Sequence, residues 1–427
     1  MPDAPDLESS LPHQASTRAT DKTMAAPAPR ARLAEVFRAF LKLGVSSFGG
    51  PIAHLGYFHD EFVVRRRWID EDGYADLVAL CQFLPGPASS QVGFSLGLLR
   101  GGGLVGGLLA WIAFTTPSAL LLLAFAYGAP LFAGSLFGSG VIHGLKVVAV
   151  AVVAQAVWGM ARTLAPDRSR ASIALLAAIL ISLFAGSAWV QISAIALGAI
   201  AGLMFCRGDN IAAGGRFTFP VSRATGIACL IFFFTLLLLL PVVGRWSGSH
   251  SIELFDAFYR SGALVFGGGH VVLPLLRAEF VDPGWVTADA FLAGYGAAQA
   301  VPGPLFTFAT YLGAVTKFAP NGLPGAAIGL IAIFLPGVLI LIGTLPYWNA
   351  LRARPLARAA MRGTNAAVVG ILGAALYNPV WTTAVVNGAD FALAATAFVL
   401  LAVWKLPPWI VVLITACGGI AVAFVQS

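Results

Sequence analysis

From about residue 32 onward the chain alternates between long apolar blocks and short polar connections. Most blocks approach or exceed the roughly 20 residues that a helix needs to cross a bilayer. Uninterrupted blocks lie at about 103–128, 138–160, 172–187 and 188–206, then at 224–243, then at 324–347, 363–379, 390–404 and 408–425. Two pairs of blocks depart from this pattern. Residues 43–58 and 261–276 form apolar segments of only 16 residues, too short for a full span. The blocks after them, 77–99 and about 290–316, are long enough but are cut by Pro85-Gly86-Pro87 and Pro302-Gly303-Pro304. Gly and Pro break a helix there and leave backbone N–H and C=O groups without intrahelical partners.

The two irregular regions are the same passage written twice. Phe37 recurs as Phe255, Phe48 as Phe266 and Glu61 as Glu279, each 218 positions later. Gln82, Pro85, Gly86 and Pro87 recur 217 positions later as Gln299, Pro302, Gly303 and Pro304. The register holds beyond the motifs, pairing Pro117 with Pro336, Gly144 with Gly363 and Trp189 with Trp409. Chance similarity between apolar segments would not keep an offset so constant. The expected organisation is a disordered polar tail at 1–31, a first repeat at 32–206, a linker with one extra transmembrane helix at 207–250, and a second repeat at 251–427.

Each copy holds six hydrophobic elements, an even number, so the single helix between them turns the second copy upside down. The expected fold is an all-α polytopic membrane protein with two inverted-topology repeats and broken or re-entrant helices at the FGG and PGP motifs. The basic residues agree with a cytoplasmic N-terminus. One side then carries Arg162, Arg168, Arg170, Arg207, Arg216, Arg223, Arg352, Arg354, Arg358 and Arg362, while the opposite loops near 129–137 and 380–389 carry none. Arg245 and Lys317 are lone exceptions. Arg65, Arg66 and Arg67 conflict with this side assignment only if the first two elements span fully, which favours re-entrant elements.

Composition supports the membrane reading. Hydrophobic residues make up 58% of the 427 and charged residues 11%, against about a quarter charged in soluble domains. Mean hydropathy is +0.85. The net charge of +7 is spread over short loops, so it gives an orientation signal and no nucleic-acid patch. Cys81, Cys206, Cys229 and Cys417 have no metal or redox spacing and read as small apolar residues.

Acids are missing where the membrane would be: none occurs at 77–166 or 290–389. Ionisable residues at membrane depth are mostly basic or neutral, namely His54, His143, Lys146, Arg260 and His270. That suits an anionic substrate better than a cation or a proton pump. After Pro87 a half-helix would start with free N–H groups near Ser90, and the second copy offers Thr307 at the matching place. Gly49, Gly50 and Pro51, with Gly267, Gly268 and Gly269, let backbone amides approach a ligand, and Gln82 and Gln299 add donors. The alternative is that these Gly and Pro residues serve only helix packing; their duplication at one offset favours binding. His54 and His270 do not match each other in the repeat, since Ile52 stands opposite His270, so they form no symmetric metal pair. Lys146, opposite Asn365, either meets substrate or extends to an interface. His54, Glu61 and Glu279 are gating or coupling candidates and His270 a binding candidate; the alternatives are satisfied core histidines and, for the glutamates, structural partners of Arg residues.

At these residues the chain resembles the chromate ion transporter family in its long two-domain form. The resemblance is carried by Leu43-Gly44-Val45-Ser46-Ser47-Phe48-Gly49-Gly50-Pro51, Gln82-Phe83-Leu84-Pro85-Gly86-Pro87, Phe266-Gly267-Gly268-Gly269-His270 and Gln299-Ala300-Val301-Pro302-Gly303-Pro304, and it spans about residues 33–425. It implies a multi-pass carrier of the bacterial inner membrane that exports chromate and confers chromate resistance. Sulfate, another tetrahedral dianion, is the alternative substrate. A membrane-embedded enzyme acting on lipid or phosphate groups is the alternative of another class, but the sequence offers it no catalytic constellation. The expected partners are the anion and the lipid bilayer, with no nucleic acid, cofactor or metal; a homodimer is left open.

Overall fold

The computed structural model describes residues 29–132, 135–184, 188–206, 219–266, 271–348 and 354–426. All regular structure among them is helical. The first copy contains α1 (Pro29–Ser46), α2 (Gly50–Phe58, extended by a π-helical turn His59–Arg65), α3 (Glu71–Phe83), α4 (Ala88–Gly101), α5 (Leu104–Phe132), α6 (Leu136–Leu164), α7 (Arg168–Leu183) and α8 (Ala188–Phe205). A single helix, α9 (Arg223–Ser247), follows. The second copy contains α10 (His250–Ala263), α11 (Val272–Phe280), α12 (Ala288–Ala300), α13 (Phe308–Val315), α14 (Gly322–Thr344), α15 (Pro355–Ala375), α16 (Gly388–Ala402) and α17 (Pro408–Gln426).

The sequence blocks and the helices agree closely over the long elements. Among the described residues six helical segments are long and apolar enough to cross a membrane: Leu104–Leu131, Leu136–Leu164, Arg223–Ser247, Gly322–Tyr347, Pro355–Ala384 and Pro408–Val425. The protein is a polytopic α-helical membrane protein. Each of the two irregular elements per copy is resolved into two helices, so a copy has eight helical segments where the apolar pattern shows six blocks. α1 begins at Pro29, slightly inside the stretch expected as tail; residues 1–28 of that tail lie outside the described residues.

The split elements are hairpins. α1 and α2 form one, α3 and α4 another, and their open ends gather around Glu35. Its carboxylate accepts from Arg66, from the Trp68 indole and from Arg100 at the end of α4, the last at 2.7 Å. Leu33 of α1 lies against Gly101, beside the start of α5. In the second copy the open ends of α10–α11 and α12–α13 gather around His250, whose ring meets Trp285 and Phe318. That end lies near the far end of α5, because Tyr127 approaches Gly322. The first arms of each copy's second hairpin, α3 and α12, start from caps at equivalent positions. Asp70 accepts from the amide of Gly73, and Thr287 from that of Ala290.

Glycines set the long-helix contacts. α6 packs along α17, where a Cβ on Gly144 would collide with the Thr415 carbonyl. α15 packs along α8, where Gly363 lies against Gly198 and Gly202. Gly144 and Gly363 are repeat equivalents, so each copy's long helix is clasped by the last helices of the other copy. This is small-residue packing that lets apolar helices bring their backbones together. Among the described residues two large hydrophobic cores and a small third one result. One joins α1–α4 to the first part of α5 and the end of α14 through residues such as Phe40, Phe58, Phe62 and Leu341. The other joins the second copy's hairpins to α6–α8 and α15–α17. α9 packs against α10 and α14, where Phe233, Tyr259, Ala263 and Leu339 form the third core.

Candidate functional site

Among the described residues the hairpin tips of one copy meet the hairpins of the other. The chain turns at Gly49 and Gly50 with φ of +102° and +75°, a conformation that favours glycine, and Pro51 lies in the first turn of α2. The second tip runs extended through Leu84–Pro87, with Gly86 at φ +117°, and the fourth through 301–304, with Gly303 at φ +97°. The amide of Gly86 donates to the carbonyl of Val265 at 2.7 Å. The amide of Gly303 donates to the carbonyl of Ser47 at 2.9 Å. Val265 is the repeat equivalent of Ser47, and Gly303 of Gly86. Each PGP tip therefore rests on the residue two positions before the other copy's glycine run.

Each PGP tip also lies on a proline-bearing point of a long helix. A Cβ on Gly86 would stand 2.9 Å from the Cα of Gly337, next to Pro336 in α14. A Cβ on Gly303 would stand 2.9 Å from the hydroxyl of Ser118, next to Pro117 in α5. Gln91 holds the first of these contacts. Its amide donates to Pro85 O at 3.0 Å and to Gly337 O at 2.9 Å. Gln91 is absent from the residues expected from sequence. The signal that could have found it is a lone amide side chain, one turn past the break, inside an apolar stretch.

The sequence candidates are distributed as follows. Pro85, Gly86, Pro87, Pro302, Gly303 and Pro304 are all at the tips and, apart from their mutual contacts, buried. Ser90 is buried with no partner for its hydroxyl, whereas the Thr307 hydroxyl donates to Pro304 O at 2.7 Å. Gln299 is buried and hydrogen-bonds with the Tyr295 side chain, but its matched Gln82 is exposed. Gly267, Gly268, Gly269 and His270 lie outside the described residues. His54 is fully buried and bridges two hairpins, 3.2 Å from Ser47 O and 3.5 Å from the Ser89 hydroxyl. The Ser47 carbonyl thus takes both Gly303 and His54.

Charged candidates stand apart from the tips. Lys146 pairs with Asp289 at 2.9 Å, at the end of α12 opposite its tip. Lys42 pairs with Glu61 at 3.2 Å and Arg260 with Glu279 at 2.8 Å. These two bridges are repeat equivalents, since Arg260 follows Lys42 by the same 218 positions that separate the glutamates. Glu61 also accepts from Arg65 at 3.0 Å and Arg66 at 2.7 Å. Burial alone would raise its carboxyl, but the hydrogen bonds from Arg66 and Lys42 hold it below the usual range. Burial raises Glu279, and nearby Asp256 adds to the effect, against the pull of Arg260.

The tips therefore present donors without acidic groups. Ser47 Oγ, Ser90 Oγ and Gln299 Nε2 are buried and without hydrogen-bond partners among the described residues. Beside them α4 begins at Ala88, where a helix start leaves its first N–H groups free of intrahelical acceptors. Such a set can hold an anion through neutral hydrogen bonds and a helix dipole.

Two copies of broken helices meeting tip to tip inside a bundle of spanning helices define a membrane protein of the transporter class. The chain belongs to the chromate transporter family, whose model matches residues 34–203 and again 252–420. It is 29% identical over 409 residues to the chromate transport protein of Pseudomonas aeruginosa, covering 94% of this chain and 95% of that one. It is 28% identical over 370 residues to a probable chromate transport protein of Synechococcus elongatus, covering 82% and 84%. With the chromate transport protein of Cupriavidus metallidurans it shares 27% over 357 residues, covering 82% and 83%. No solved structure matches the chain.

Proposed function

We propose that this protein is a secondary transporter that exports chromate from the cytoplasm by alternating access and so confers chromate resistance. It acts in the bacterial inner membrane with its N-terminus on the cytoplasmic side. The two copies are inverted relative to each other, so the hairpins of each enter the bilayer from opposite faces and meet near the midplane. This reading accounts for Arg65–Arg67. A hairpin that enters and leaves on one side returns these residues to the side of Arg100, beside Glu35, where a positive-inside arrangement wants them.

The observation that carries the proposal is the reciprocal pair of tip bonds, Gly86 to Val265 and Gly303 to Ser47. It sets the duplicated breaks around one place, with unpartnered donors and no carboxylate there. Binding would use the hydroxyls of Ser47 and Ser90, the amide of Gln299 and the start of α4, with Gly49 and Gly50 allowing close approach. A tetrahedral dianion fits this donor set by charge and shape. Since no donor reads chromium itself, sulfate is recognised by the same chemistry. Lys146, Glu61 and Glu279 act in gating and support.

The test is uptake of labelled chromate by inside-out vesicles that carry the protein, with and without excess sulfate. Energy-dependent uptake is expected, with competition by sulfate. Uptake of sulfate alone would replace chromate with sulfate as the substrate. No uptake of either anion by energised vesicles with well-inserted protein would overturn the reading.

A further inference from the structure

The two copies carry the same helices but pack them differently. Residues 291–299 of α12 are buried throughout. In its counterpart α3, Ala75, Ala79 and Gln82 are exposed along one face. These are the equivalents of Leu292, Gly296 and Gln299, which are the buried face of α12. Gly296 lies directly on the carbonyl of Leu145 in α6, and one residue further Lys146 reaches Asp289. Through the repeat this contact maps onto Ala79 against Thr364, and Asp72 against Asn365 of α15. There the counterpart is unmade. α3 makes no comparable contact with α15 among the described residues, Asp72 is exposed, and the Asn365 side-chain oxygen is buried without a partner. The cores repeat the asymmetry: the second copy's hairpins share a core with α6–α8 and α15–α17, and the first copy's hairpins do not.

We propose that the contact of α12 with α6, held by Lys146 and Asp289, is a closed gate, and that the exposed face of α3 is its twin, open in this structure. In the other state α3 closes on α15 through Ala79, Thr364, Asp72 and Asn365, while α12 leaves α6. The inference rests on the transport reading and adds to it the residues that gate each side. Its physical basis is the repeat. When two halves are built alike, an asymmetric arrangement has a partner of comparable energy in which the halves exchange roles. A protein with one gate packed and its equivalent unpacked holds one of the two. Lys146 and Asp289 are not equivalent in charge to Asn365 and Asp72, so the ion pair biases the exchange toward the state seen here.

The test uses a chain in which the four native cysteines are replaced by alanine and in which Ala79→Cys is combined with Thr364→Cys. A disulfide requires these Cα atoms to come within about 7 Å, so oxidation in membranes traps the twin gate when it closes. Cross-linking is expected, and adding Lys146→Ala should raise its rate about two- to fivefold, the factor expected of a partly exposed ion pair. No cross-link in vesicles that transport anion, with or without the Lys146 change, would overturn the gate assignment alone. Cross-linking in a chain that moves neither chromate nor sulfate would keep the gates and remove the substrate reading. Should the double-cysteine chain fail to fold, Gln82→Cys alone serves. Its labelling by a water-soluble maleimide should fall when Lys146→Ala is added, and unchanged labelling would count against the twin gate.

Discussion

The amide of Gly303 donates to the carbonyl of Ser47 at 2.9 Å, and the repeat reproduces this bond from Gly86 to Val265 at 2.7 Å. Each copy thereby completes a broken helix of the other. The N–H that a proline-flanked turn strands in an apolar interior finds its acceptor across the molecule, which it must, since an unsatisfied amide there costs several kcal/mol. Both glycines have positive φ, so alanine at either place carries strain of about 1–3 kcal/mol. The surroundings rank the two. A methyl on Gly86 stands 2.9 Å from the backbone Cα of Gly337, whereas a methyl on Gly303 stands 2.9 Å from the Ser118 hydroxyl and reaches backbone only at the Phe114 carbonyl, 3.3 Å away. Vesicle uptake should therefore fall about tenfold or more for Gly86→Ala and less for Gly303→Ala, with both proteins near normal level in the membrane. Equal losses would remove the steric ranking.

Gln91 ties the first tip to α14 through two carbonyls. Its equivalent in the second copy is Phe308, so no such tie exists there. Gln91→Ala leaves the Pro85 and Gly337 carbonyls without this donor in a buried place, at a cost of about 1–3 kcal/mol. Gln91→Glu keeps the shape but turns a donor into an acceptor facing two carbonyls. The expected order of thermal stability in detergent is Gln91, then Gln91→Ala, then Gln91→Glu. A Glu variant as stable as the parent would show that these bonds do not hold the tip.

Much of this arrangement is legible in the sequence because the chain states it twice. The offset that pairs Phe48 with Phe266 locates the breaks, and proline and glycine chemistry explains them. The partners across the molecule are not legible. Nothing local in Ser47 or Val265 announces that its carbonyl receives a glycine amide from the other copy, because that depends on how the hairpins close. The matched glutamines mislead for a related reason. Gln82 and Gln299 share a register position, yet one is exposed and the other buried, because the copies pack asymmetrically. Lys146 has its partner at Asp289, one residue before an acid-free stretch begins, so a count of acids within the apolar blocks misses it.

Glu61 and Glu279 occupy equivalent positions but respond to pH in opposite senses. Glu61 lies below its ordinary value of 4.5, so its contribution to stability is present above that pH and is lost as the pH falls through the lowered value. Glu279 lies above 4.5, so the folded protein favours its protonated form, and that contribution is present below 4.5 and lost as the pH rises through the raised value. At pH 7, Glu61→Gln should lower the melting temperature by a few degrees, because Lys42, Arg65 and Arg66 lose their shared carboxylate. Glu279→Gln should leave it unchanged or raise it. A melting series in detergent across pH 4–8 checks both, and a parallel response of the two variants would contradict the opposite shifts.

Glycines at the tips and glycines between the long helices do different work, and valine separates them. Gly50 sits at φ +75° where the first hairpin turns into α2, and it is half-buried. Gly363 is helical, and any Cβ there would overlap the backbone of Gly198 and Gly202. Gly50→Val should abolish uptake while leaving most of the protein in the membrane, because the strain falls on a hairpin turn at the site. Gly363→Val must push α8 away from α15, at a cost of about 3 kcal/mol, and should lose folded protein and uptake together. The measurement is uptake per unit of detergent-stable protein. It should fall for Gly50→Val and stay near the parent for whatever Gly363→Val protein survives. If Gly50→Val instead lost folded protein in step with uptake, the tip glycines would be packing residues like Gly363, and the anion site would have to be sought elsewhere.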